Sequence, residues 1–272
     1  MRRPSLVLAL LAACGGDPPA TEPDAGTPPP PPPPDAFVGT PSIDGTPVAS
    51  FETSTCSTGS VLALSRQIAE EVDCIMPGQL VVFEERPAIA FTGAAVLPFI
   101  SEASRADLYA ATDAGGARVL QVTSAFRTVV QQYLLRRWFE LGRCGITAAA
   151  EPGRSNHESG RALDVSNYSS WVTTMEAHTW SHNIPGDPVH FEHLSSPDIR
   201  GADVLAFQRL WNRNAPADPI AEDGDYGPAT EARVKLAPAE GFGIGAICGR
   251  ARVAGGAAAS VRAELAADTC GL

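Results

Sequence analysis

"GRSNHESGRALDVS", residues 153–166, sets His157 and Asp164 seven positions apart with Gly160 and Ala162 between them. Gly160 suits a tight turn, and "RALDVS" alternates in the manner of a short strand. A turn running into a strand carries both side chains onto one wall, and Ala162 leaves room between them. An imidazole beside a carboxylate is the pairing a metal ion takes; a polar surface turn that brings the two together by accident is the alternative. Hydrolytic zinc sites take three such protein ligands and keep a fourth position for water. The third candidate is His190 in "DPVHFEHL" (187–194), a β-like segment introduced by Pro185 and Gly186. His193 in the same segment competes with His190 for that role. His178 and His182 lie close in sequence and read as bystanders.

Outward from this motif the pattern is mixed. "SVLALSRQIAEEVDC" (60–74) spaces Val61, Leu64, Ile68 and Val72 along one helical face, with Ser60 as N-cap. "QLVVFEE" (79–85) and "AIAFTG" (88–93) predict strands, and 101–116 predicts a helix stopped by Gly115 and Gly116. "RVLQVTSAFRT" (118–128) reads as a strand entering a turn, and the helix after it buries Val129, Tyr133, Leu134 and Trp138. Residues 170–183 predict a helix. Helices and strands without regular alternation give an α+β fold, here a small antiparallel sheet with flanking helices around a metal site. From about 199 the texture becomes helix, loop, turn, helix. Val204, Leu205, Phe207, Leu210 and Trp211 form one stripe, and "DGDYGPAT" (223–230) supplies the turn and a fresh helix start. A last helix is expected in the Ala-rich tail at 257–267.

The chain has 272 residues and a net charge of −11, with 31 acidic against 20 basic residues. That balance argues against nucleic acid, whose phosphates call for Lys and Arg patches. Arg2, Arg3 and the apolar run Leu6–Leu11 have the form of an export signal, too short to span a bilayer. "LAAC" (11–14) resembles a bacterial lipobox, which implies a lipidated Cys14 at the new N-terminus; an ordinary secretory signal is the alternative. Residues 15–50 read as a disordered linker. Its "TPPPPPPPD" (27–35) can form neither helix interior nor sheet ladder, and its seven prolines extend roughly 20 Å. The resulting division is signal 1–14, linker 15–50, catalytic domain 51–197, helical module 198–243 and tail 244–272.

Export implies an oxidising compartment and disulfides. Proximity in sequence suggests Cys56–Cys74 and Cys248–Cys270, which leaves Cys144 over.

"SNHESGRALDV" (155–165) resembles the SxHxxGxAxD motif of the D-alanyl-D-alanine carboxypeptidase family of zinc peptidases, which includes the VanY-type and VanX-type enzymes. "DPVHF" (187–191) is similar to that family's ExxH segment, and "TSAFRT" (123–128) with Gln132 to its S-[GA]-[YF]-R segment. The three lie in order over residues 118–194. The resemblance implies that His157, Asp164 and His190 bind Zn²⁺ and that Asp187 acts as general base and later general acid. It implies that Arg127 stabilises the oxyanion, and that Ser124, Gln132 and Ser155 shape the pocket. Asp187 departs from the commoner Glu, so the base is one methylene shorter, and Val189 replaces the commoner Trp. The segment 198–243 resembles the peptidoglycan-binding module of wall hydrolases through "VLAFQRLWN" (204–212) and "DGDYGPATEARV" (223–234).

The expected function is therefore that of an exported, lipid-anchored, monomeric zinc peptidase of the cell envelope, facing the periplasm or the exterior and cutting peptidoglycan stem peptides. Removal of terminal D-alanine is the first expectation. Cleavage within the stem or cross-bridge is the alternative, and a non-catalytic wall-binding lipoprotein comes from another class. "HESGR" lacks the second His of HExxH, and "AEDGDYGPATE" (221–231) lacks the alternating register of a calcium loop.

Overall fold

A computed structural model describes residues 39–248. The architecture is α+β. Its helices are α1 (Phe51–Ser54), α2 (Leu62–Ile75), α3 (Glu102–Ala114), α4 (Val129–Glu140), α5 (Val172–Glu176), α6 (Ala202–Asn214) and α7 (Pro228–Leu236). Its strands are β1 (Val81–Val82), β2 (Ile89–Phe91), β3 (Phe99–Ile100), β4 (Leu120–Ser124), β5 (Ala162–Val165) and β6 (His190–Glu192). None of the described helices is long and apolar enough to cross a membrane.

The apolar stripes read from the sequence become the helical core. Val61, Leu64, Ile68 and Val72 are fully buried, as are Val204, Phe207, Leu210 and Trp211 of α6. These two helices pack together with α4, which contributes Val129, Tyr133, Leu134 and Trp138. Each large side chain so buried contributes roughly 1.5–3 kcal/mol. Within this core Glu71 makes a two-pronged ion pair with Arg213, both contacts at 3.1 Å. Instead of starting at Ser60, α2 follows a 3₁₀ turn (Thr58–Val61) capped by the Ser57 hydroxyl. A capping box between Thr128 and Gln131 starts α4.

The second core lies on the sheet. Its order is β2-β4-β5-β6, with β2 parallel to β4 and the other pairs antiparallel. The expected antiparallel sheet is thus a mixed one, because α3 forms a crossover that returns the chain beside β2 in the same direction. β1 and β3 form a separate antiparallel pair. Leu163 and Val165 of β5 and Phe191 of β6 enter this core with α3 and α5. By strand alternation Asp164, His190 and Glu192 then face the other side.

Several boundaries differ from the sequence reading. The 79–85 strand contracts to two residues. The 170–183 helix contracts to Val172–Glu176, because Thr179 takes a left-handed φ of 71° and Ser181 bridges to Glu192. Residues 39–50 belong to the fold rather than to a linker. Ser42, Thr46 and Val48 exchange backbone hydrogen bonds with Gly243, Ala239 and Ala237 at 2.9–3.1 Å, and Val48 is fully buried. Residues 198–243 share the core of α2 and α4, so the described residues form one compact unit, not two domains divided at 197. The signal, Cys14, the proline run, the 257–267 helix and Cys270 lie outside the described residues.

The disulfides overturn the pairing by proximity. Cys56 bonds Cys144 and Cys74 bonds Cys248, with Cα–Cα distances of 5.3 and 4.7 Å. Cys56 precedes α2 and Cys74 ends it, so about 20 Å of helix stands between the two. Cys144 is therefore paired, not left over.

Candidate metal centre

The arrangement around His157 follows from local backbone rules. Ser155 caps a 3₁₀ turn (Asn156–Ser159) and accepts from the His157 backbone N–H at 3.3 Å. Glu158 returns the capping box through Ser155 N–H. Gly160 then reverses the chain at φ 72°, and a Cβ there would stand 2.8 Å from Leu80 Cδ2. β5 begins two residues later and delivers Asp164 to the same wall.

The sheet delivers the other groups. Asp164 pairs directly with His190 across β5 and β6, and with Ser124 across β4 and β5. The second pairing depends on an irregularity between Val122 and Ser124, where two β4 residues oppose one on β5. This bulge turns Ser124 out of the core that Leu120 and Val122 occupy and onto the face of Asp164.

His157, Asp164 and His190 offer ligand atoms that all lie within 4.8 Å of one another. Asp164 Oδ1 is 3.1 Å from His157 Nε2 and 3.2 Å from His190 Nδ1. His157 Nδ1 lies 2.7 Å from the carbonyl of Ala125, which can only accept, so Nδ1 carries the imidazole proton. Burial, aided by Arg127, pushes the His157 imidazole below its usual range and keeps it neutral. Its Nε2 lone pair and the Asp164 oxygen then face each other, two acceptors in contact, an arrangement that a cation between them satisfies. His190 directs Nδ1 to the cluster and leaves a buried Nε2 without a hydrogen-bond partner among the described residues. Two imidazoles and one carboxylate are a donor set that fits Zn²⁺. Burial opposes the charge on Asp164, but its polar surroundings, with the Arg127 guanidinium among them, outweigh it and hold the carboxyl well below its ordinary range.

Arg127 sits beside the cluster. Its terminal nitrogens donate to Gln132 Oε1 (3.1 Å), Ser155 Oγ (3.4 Å) and Ser124 Oγ (3.1 Å), and one lies 3.6 Å from Asp164 Oδ2. Burial lowers its pKa while Asp164, Glu158 and Asp187 pull it back up. The three groups expected to shape the pocket thus clamp Arg127. Gln132 also donates to Ala150 O at 2.8 Å and holds the 144–156 loop.

These residues line one open pocket of about 560 Å³, which contains Arg127, Gln132, Ser155, His157, Asp164, His190 and Asp187. Asp187 reaches the lining from the loop before β6 and makes no side-chain hydrogen bond among the described residues. Leu135, Ile146, Ala148 and Ile184 supply the apolar wall. His193 lies elsewhere: its ring bridges Ser196 (2.7 Å) and Asp107 (2.8 Å) inside the fold, so His190 is the imidazole that faces the pocket. His178 and His182 bond the carbonyls of Thr174 and Pro188.

Two buried carboxyls behind the site escape a reading by motif. Glu158 accepts from the backbone N–H groups of Gly153 and Ser155 at 2.8 Å each. Burial nonetheless raises its pKa to about 7, and Asp203 of α6, fully buried beside it, is raised well above its normal range by burial and by Glu158. Ser-x-x-Glu at 155–158 is itself a capping-box signature that could have found Glu158. Nothing local marks Asp203.

Among solved structures, the chain is similar to the LdcB LD-carboxypeptidase, a structure described as revealing the molecular basis of peptidoglycan recognition. Identity is 18%, 53% of this chain and 79% of that chain are covered, and the TM-score is 0.33. No family model and no curated protein matches the chain.

Proposed function

We propose that the chain is a zinc-dependent peptidase that hydrolyses peptidoglycan stem peptides, with removal of the terminal D-alanine as its reaction. The observation that carries this reading is the convergence of His157, Asp164 and His190 in an open pocket that Arg127 and Asp187 also line. The three motifs at 123–128, 155–165 and 187–191 supply the substrate class by resemblance. The export signal, lipobox and two disulfides support a site of action in the envelope, outside the reducing cytoplasm.

His157, Asp164 and His190 hold the metal, which when bound supplies Lewis acidity for a carbonyl oxygen and makes a water molecule acidic near neutral pH. Asp187 accepts the proton of the attacking water and returns it to the leaving amine. Its free carboxylate on the pocket lining is suited to that exchange. Arg127, clamped by Ser124, Ser155 and Gln132, presents fixed positive charge where the carbonyl oxygen gains negative charge. Because the clamp exists before substrate arrives, no reorganisation is needed at the moment of reaction.

The test is digestion of purified muropeptides by zinc-loaded protein, with Asp187→Ala as control and mass spectrometry of the products. Loss of single D-alanine residues that the control abolishes is the expected result. Split stems or cross-links assign an endopeptidase instead, and intact muropeptides reject the enzymatic reading.

A further inference from the structure

The pocket carries a second guanidinium whose surroundings differ from those of Arg127. The terminal nitrogens of Arg127 are committed to Gln132, Ser155, Ser124 and Asp164. Arg154 lines the same pocket, and its guanidinium has no ion pair, hydrogen bond or ring contact among the described residues. This is unusual company for a free cation in a chain of net charge −11. Asp187 on the same lining acts on Arg127, and three other acids of the surrounding segments are taken. Glu151 pairs with Arg136 at 2.6 Å, Glu192 with Arg161 at 3.1 Å, and Glu158 is buried on backbone N–H groups.

The backbone beneath Arg154 is fixed. The N–H groups on either side of it, those of Gly153 and Ser155, both donate to the Glu158 carboxyl, and its own N–H donates to Glu151 O at 3.0 Å. Gly153 takes φ 80°, with Tyr226 and Val204 each 3.4 Å from where a Cβ would stand. The fixed backbone sets where the Arg154 side chain starts, and the cost of ordering that side chain on an anion is offset by the charge-assisted contact it gains. The adjoining wall of Leu135, Ile146, Ala148 and Ile184 suits a small alkyl group.

We infer that Arg154 is the anion-recognising residue of this pocket, binding a carboxylate of the peptide substrate away from the scissile carbonyl. The inference rests on the peptidase reading above. Two sources carry that chemistry, the C-terminal carboxylate of the peptide and the carboxylate of an internal acidic residue.

Calorimetric titration of the zinc-loaded full chain separates them. The probes are N-acetyl-D-Ala-D-Ala, its C-terminal amide, and an amide-ended peptide with one internal glutamate. Wild type is expected to bind an anionic probe about ten- to a hundredfold more tightly than the plain amide, the range of one charge-assisted contact. Arg154→Gln brings that ratio to within about twofold. Arg154→Lys keeps an intermediate ratio, since it retains the charge but not the fork. A preference for the terminal acid assigns the first source, and a preference for the glutamate probe the second.

Arg154 is exposed, and its variants are expected to melt with wild type. A wild type that does not distinguish the probes, or an Arg154→Gln variant that keeps the full ratio, overturns the inference. Hydrolysis of the same peptides is followed separately. Arg154-dependent binding without turnover rejects the peptidase reading alone, whereas turnover with equal KM for acid and amide probes rejects the Arg154 assignment alone.

Discussion

Asp164 stands directly opposite His190 across the β5–β6 pair, and its Oδ1 lies 3.2 Å from the imidazole Nδ1. Sheet register, rather than loop conformation, therefore fixes two of the three candidate ligands. Strand positions hold side chains more reproducibly than loops do, which suits a site that must exist before its ion arrives.

Wild type is accordingly expected to bind one zinc per chain, and Asp164→Ala and His190→Ala none at the same free concentration. At zinc a hundredfold above its Kd the fold gains about 2.7 kcal/mol, and a chelator removes the gain. Metal analysis of dialysed protein and melting with and without chelator check both statements.

Asp187 is assigned to proton transfer and not to metal binding. Asp187→Asn should keep its zinc and lower kcat by about 10²–10⁴-fold. A variant that loses metal and activity together places Asp187 among the ligands instead.

Gly160 is required twice, by its φ of 72° and by Leu80 Cδ2, 2.8 Å from a would-be Cβ. Gly160→Ala is expected to destabilise the fold by about 1–3 kcal/mol. It should also weaken zinc binding, because the same turn carries His157. Denaturant titration and metal affinity on the one variant test the two effects.

Asp203 is a buried carboxyl whose oxygens have no partner of hydrogen-bond geometry among the described residues. Its pKa is raised in the folded state by burial and by Glu158. A raised carboxyl pKa gives stability that is complete below the unfolded pKa of about 4 and is lost as pH rises. Wild type should thus grow less stable from pH 4 upward. In Asp203→Asn that slope should be smaller, with the two proteins within about 1 kcal/mol of each other at pH 4. Denaturant midpoints at pH 4, 6 and 8 decide the matter; parallel curves for the two proteins reject it.

The Cys56–Cys144 bond anchors the loop that carries Ile146, Ala148 and Arg154 into the pocket. Cys144→Ser is expected to cost roughly 2–4 kcal/mol. Free-thiol counting and melting of that variant against wild type measure it.

The grouping of His157, Asp164 and His190 was legible because a turn glycine and a strand fix the geometry of residues 157–164 locally, and because His190 sits in a short β-like run. What escaped detection depends on contacts distant in sequence. The disulfides join positions 88 and 174 residues apart, which no local pattern encodes. Asp203 looks like an ordinary first-turn acid of α6, and only the packing of that helix against the His157 turn makes it unusual. The helix expected over 170–183 fails at Thr179 because the chain turns there to lay Ser181 against β6. The parallel β2–β4 pairing was hidden because strands of three and five residues carry no sign of direction.

The ribbon formed by residues 42–48 and 237–243 brings the incoming and outgoing chain together. Tension arriving ahead of Ser42 would peel that ribbon bond by bond from its outer end. Tension arriving after Cys248 would pass through its sulfur into α2 at Cys74. Neither load path crosses β5 or β6, so a protein held by its flanks can be tugged without distorting the group of His157, Asp164 and His190.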